Sequence, residues 1–119
     1  MATGIGATGS CHCGAVRFRV VLPEEPEAYR CNCSLCRRKG AAITPVPKSA
    51  LTLLSDWAAM GVYQFNTRVA KHYFCKTCGI YTFHQRRIDP ESYGINIGCL
   101  DDLPPETFEP IGEADGANE

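Results

Sequence analysis

No stretch of this 119-residue sequence approaches the roughly 18 apolar residues that a membrane-spanning helix needs, so no membrane partner is expected. Met1 to Gly9 lacks a basic region followed by an apolar run, so no export signal is expected either, and the predicted setting is reducing and cytoplasmic. Charge of one sign is also scarce. Twelve basic and thirteen acidic residues are interspersed to a net charge of -1, and the one basic run is Arg37, Arg38, Lys39. A nucleic-acid partner, which requires a basic face long enough to neutralise several phosphates, is therefore not expected. The balance suits a small-molecule site.

What the sequence has in abundance is cysteine. Eight are present, and seven fall into tight clusters: Cys11 and Cys13; Cys31, Cys33 and Cys36; Cys75 and Cys78; only Cys99 stands alone. A disulfide scaffold would need an oxidising compartment, and a bridge between cysteines one residue apart would close a small, strained ring. Metal-ligand spacing is the better reading, with two zinc ions per chain as the natural count. Residues 1–119 read as one domain, near the small end for burying a self-sufficient core, and structural zinc contributes on the order of 10 kcal/mol of apparent binding free energy to such folds.

The apolar pattern is mostly β. Val16, Phe18 and Val20 alternate with Ala15, Arg17 and Arg19, the period of a half-buried strand over 14–21. Further strands are predicted over 41–46, 51–54, 62–65, 71–74, 80–84 and 93–97, where β-branched and aromatic residues are bounded by Gly, Asn, Asp or Pro. Pro23, Pro26, Pro45 and Pro47 exclude a long helix, although Ser55 or Asp56 is placed to cap a single helical turn over 55–60. From about residue 104 prolines, acids and glycines predict a loose tail.

Gly14 and Gly79 follow the cysteine pairs, and glycine tolerates the positive φ that turns the backbone N–H groups toward thiolates. Joining Cys11 and Cys13 to Cys75 and Cys78 gives four sulfurs and a closed, structural site. Cys31, Cys33 and Cys36 supply three, leaving a fourth position open for a catalytic ion. Spacing alone leaves the partition open, because Cys11 and Cys13 pair equally well with Cys31 and Cys33.

The segments 9–18, 31–40, 74–80 and 95–101 resemble the glutathione-dependent formaldehyde-activating (S-(hydroxymethyl)glutathione synthase) family, which also includes centromere protein V; motif order and spacing match from Ser10 to Asp102. The resemblance implies a mainly β fold of twisted antiparallel sheets, a β-tent stabilised by zinc. It also implies a structural zinc on Cys11, Cys13, Cys75 and Cys78 and a catalytic zinc on Cys31, Cys33 and Cys36. The implied activity is that of a carbon–sulfur lyase joining glutathione or a similar thiol to formaldehyde or another small aldehyde. The longer enzymes of the family carry insertions and a C-terminal extension that this sequence does not. A zinc-stabilised β module that binds a protein partner without catalysis is the alternative.

Other residues carry weaker expectations. Arg37, Arg38 and Lys39 are placed to anchor a substrate carboxylate, or form a solvated turn. His12 is expected to point away from its neighbouring ligands, and His72 and His84 to be surface or hydrogen-bonded histidines on strands. Cys99 reads as a small buried thiol, with a fourth-ligand role or a nucleophile as the alternatives.

Overall fold

The computed structural model describes residues 4–65 and 68–115. It is mainly β, with two sheets. The smaller pairs β1 (Ile5–Ser10), β2 (Arg17–Leu22) and β5 (Leu51–Leu53) in the order β1-β2-β5. The larger orders seven strands as β10-β3-β4-β9-β8-β7-β6, from β3 (Tyr29–Cys31), β4 (Ile43–Pro47), β6 (Met60–Tyr63), β7 (Lys71–Cys75), β8 (Tyr81–Gln85), β9 (Ser92–Asn96) and β10 (Gly112–Ala114). Every pairing is antiparallel except β10 with β3.

The core lies where the inner faces of the two sheets meet. Along β2 the alternation is strict: Phe18, Val20 and Leu22 are buried while Arg17, Arg19 and Val21 are exposed. Phe18 meets Phe83 of β8 edge to face with ring centroids 5.8 Å apart, and Phe83 also packs against Trp57, Tyr73 and Tyr93. Phe18 and Phe83, both fully buried, each contribute roughly 2–3 kcal/mol of transfer free energy. Gly9 of β1 is required by this packing, since a Cβ there would run into the Phe18 ring.

The predicted strands are present with ends shifted by a few residues, and β1, β3 and β10 are added. The predicted turn over 55–60 is a 3₁₀ turn at Trp57–Ala59, capped by the Asp56 carboxylate accepting from Ala58 N–H at 2.9 Å. One helix lies outside the predicted elements: α1 (Ser34–Lys39) begins at Cys33, whose Sγ accepts the Cys36 N–H, and ends at Gly40 with φ of 66°.

The loose tail expected from about residue 104 is corrected. Pro105–Phe108 form a 3₁₀ turn, Phe108 is buried, and β10 adds to the edge of the large sheet beside Cys31, with Asn32 N–H donating to the Ala114 carbonyl at 3.1 Å. Local composition misled because β3 supplies the ladder partners that the tail needs. Its last part, 116–119, lies outside the described residues, as do residues 1–3. Among the described residues no helix is long and apolar enough to cross a membrane.

Candidate functional site

The β1–β2 loop and the β7–β8 turn meet at the first cysteine group. Cys11 follows β1, and its N–H bonds the Val16 carbonyl at 3.1 Å while Val16 N–H donates to Cys11 Sγ at 3.3 Å. Across from it, Cys75 ends β7, and its sulfur accepts from Thr77 and Cys78 N–H groups at 3.3 and 3.4 Å. Gly14 and Gly79 take φ of 86° and 81°, the left-handed conformation that closes both loops. The result brings the sulfurs of Cys11, Cys13, Cys75 and Cys78 within 4.8 Å of one another.

These thiols are free, and their proton affinities diverge. Backbone N–H groups at Ile80 and Cys13 pull Cys78 down to about 6, and those at Cys78 and Thr77 lower Cys75. Cys13 rises to about 11: a backbone N–H at Ala15 lowers it, but burial and the neighbouring sulfurs outweigh that. Four sulfurs this close cannot all ionise without a cation among them, and N–H groups aimed at sulfur stabilise thiolate. The donor set therefore fits a soft divalent metal ion.

The second group is built by β3 and α1. Cys31 ends the strand, Cys33 caps the helix through its sulfur, and Cys36 lies in its first turn, so three sulfurs again fall within 4.8 Å. Burial raises Cys33, but N–H and thiol donors from Cys36 outweigh it and the net shift is downward; burial and the Cys33 sulfur push Cys36 up to about 12. This trio also fits a metal ion, and it lines a cavity of about 820 Å³.

That cavity runs on to groups from the large sheet. The antiparallel register sets His72 of β7 opposite His84 of β8, and their rings stack with centroids 4.9 Å apart at 15°. Lys39, in the last turn of α1, reaches the same place: its Nζ lies 3.0 Å from His72 Nδ1 and 3.5 Å from the centroid of the Tyr81 ring. Tyr81 Oη in turn meets His84 Nδ1 at 2.5 Å. Burial pushes Lys39 down to about 8 despite the opposing pull of the three cysteines. Burial, then the charge of Lys39, pushes His72 down to about 4 and His84 to about 2. Near neutral pH Lys39 is thus an ammonium and both imidazoles are uncharged. An ammonium has no lone pair, so His72 accepts at Nδ1 and carries its proton on Nε2.

Ile43, Pro45 and Phe65 give the cavity an apolar wall, Glu27 and Glu113 add carboxylates, Arg86 and Arg87 add cations, and Gly112 and Ala114 of β10 also line it. Of the basic tripeptide only Lys39 turns inward. Arg37 and Arg38 are exposed, and Arg38 donates to the Ser34 carbonyl at 2.8 Å. Cys99 is buried, donates to the Tyr81 carbonyl at 3.5 Å and belongs to neither sulfur group, while His12 is exposed and outside both. His72 and His84 are cavity residues rather than incidental strand histidines. The signal for them was that both stand on adjacent predicted strands joined by a short turn.

A family model for the glutathione-dependent formaldehyde-activating enzyme matches residues 6–114. A Halomonas elongata protein, provisionally named as such an enzyme, is 40% identical over 78 residues, which are 59% of this chain and 50% of that protein. The chain thus spans about half the length of that curated relative. A crystal structure of a Rhodobacter sphaeroides protein superposes with a TM-score of 0.84 at 44% identity, covering 90% of this chain and 99% of that one.

Proposed function

Because the chain belongs to the glutathione-dependent formaldehyde-activating enzyme family, we propose that its three-cysteine cavity joins a small thiol, glutathione or a close analogue, to formaldehyde or another small aldehyde. The observation that carries this reading is the conjunction of three free thiols with a cavity of about 820 Å³, a size that suits a tripeptide thiol. A closed β module with no role beyond binding a protein would have no need of such a space beside its cysteines.

In this reading Cys11, Cys13, Cys75 and Cys78 hold a structural zinc ion, and Cys31, Cys33 and Cys36 hold a second whose remaining donor comes from outside. Bound there, the ion supplies the acidity that ionises a thiol near neutral pH. A reducing compartment such as the cytoplasm keeps all seven sulfurs available.

The other tasks fall to the protein. The incoming sulfur forms a bond to the carbonyl carbon, the thiol proton leaves, and the carbonyl oxygen gains a proton to give a hemithioacetal, without change in electron count. Negative charge grows on that oxygen, and the Lys39 ammonium, held beside the cavity residue His72, is placed to stabilise it. Its hydrogen bond to His72 Nδ1 and its seat on the Tyr81 ring fix its direction before substrate arrives. The apolar wall of Ile43, Pro45 and Phe65 limits water and so strengthens that interaction.

The test is the rate of hemithioacetal formation and exchange with zinc-loaded protein present and absent. Acceleration with glutathione and formaldehyde supports the reading; equal rates across a panel of thiols and aldehydes overturn it.

A further inference from the structure

Arg86 directly follows β8 and lines the same cavity. One of its N–H groups donates to Ser92 Oγ at 3.3 Å, and its guanidinium carbon sits 6.0 Å from the centroid of the Tyr29 ring. Its Nε is buried and has no hydrogen-bond partner among the described residues. Nor does a carboxylate pair with it there: Glu27 and Glu113 share its cavity, and Asp89 and Glu91 lie beside it in a shallower depression, yet none forms an ion pair with it among the described residues. Arg86 is half-buried, and a guanidinium that faces a cavity without a carboxylate partner presents a planar fork that matches a carboxylate.

We propose that Arg86 anchors a carboxylate of the incoming thiol, so that the cavity selects acidic thiols over neutral ones of the same size. This deepens the thiol–aldehyde reading and rests on it. Tyr29, whose ring lies under the guanidinium, lines the cavity together with Arg86 and with Cys31, Cys33 and Cys36, so anchor and sulfur cluster open onto the same space. The other cations are less suited. The Lys39 ammonium is already engaged by His72 and Tyr81, Arg37 and Arg38 do not line the cavity, and Arg87, which does, is exposed and has an interaction of its own.

The experiment uses full-length protein loaded with cobalt(II), whose sulfur-to-metal absorption reports thiol entry, titrated with mercaptopropionate and with mercaptopropanol. In parallel, the Arg86 Nε–H resonance is followed by NMR as propionate, which has no thiol, is added. The wild type should favour mercaptopropionate by about tenfold, the value of one charge-assisted hydrogen-bonded contact. Arg86→Gln should bring the two thiols within about twofold by losing only the acidic one, and Arg86→Lys should keep part of the preference. Mercaptopropanol binding checks that Arg86→Gln is folded; if it is not, Arg86→Lys and the propionate titration of the wild type decide. An undiminished preference in Arg86→Gln, or a resonance indifferent to propionate, overturns the anchor. If propionate moves the resonance but neither thiol alters the cobalt spectrum, the anchor stands and the thiol reading falls.

Discussion

Replacing Cys75 with serine should cost far more stability than replacing Cys33, although each removes one sulfur. Cys75 and Cys13 are 62 positions apart in the chain with their sulfurs 3.6 Å apart, so a metal ion held between them cross-links the β1–β2 loop to the end of β7. Closing a loop of that length removes about 4 kcal/mol of chain entropy from the unfolded state. The trio of Cys31, Cys33 and Cys36 spans a single short segment, for which the same relation gives about 2 kcal/mol. At about 4 °C per kcal/mol for a domain of this size, Cys75→Ser should lower the melting temperature by roughly 15–20 °C and Cys33→Ser by about half as much. Thermal circular dichroism of the zinc-loaded proteins, reduced throughout, is the assay. Activity should show the reverse order, with Cys33→Ser inactive and Cys75→Ser active while folded. Equal melting shifts for the two variants would refute the division into a stapling site and a working site.

The Lys39 ammonium should set the alkaline limit of turnover. Burial depresses it to about 8, so the charged form is lost, and the rate should fall, as pH rises through that value; Lys39→Arg should carry the limb above about pH 10, and a limb that does not move contradicts the role given to Lys39. The same depression has a linked sign in stability: the buried ammonium is a cost that is fully present below pH 8 and fades as pH rises toward its unfolded value of 10.5. In the core, Phe83→Ala should destabilise by about 3–5 kcal/mol in denaturant titrations, because Phe83 is fully buried and meets rings from both sheets and the Trp57 turn; a loss below about 1 kcal/mol would show that the packing tolerates a cavity there.

The features legible in the sequence were those with a local signature. Alternation at Val16, Phe18 and Val20 marked β2, and cysteine pairs followed by Gly14 and Gly79 marked the loops that bring four sulfurs together. Elements stabilised by distant partners were not legible. β1 has the composition of a loop, and it is a strand because its small residues let the Phe18 ring close over Gly9. β10 is a strand because β3 accepts it. The helix α1 escaped notice because its cap is a sulfur, whereas Gly40 at its end was an ordinary stop signal. The cavity groups depended on register: a shift of one residue in β7 against β8 would separate His72 from His84 and turn one of them outward. Arg86 owes its place to the same ladder, and nothing in the sequence distinguishes it from Arg87.

In the proposed function the second metal ion takes its last sulfur from a substrate. X-ray absorption at the zinc edge counts sulfur donors directly. Seven cysteine sulfurs shared by two ions predict about 3.5 per zinc in the resting protein, rising to about 4 when glutathione is added. A count of four before glutathione, or a count that glutathione leaves unchanged, would contradict it.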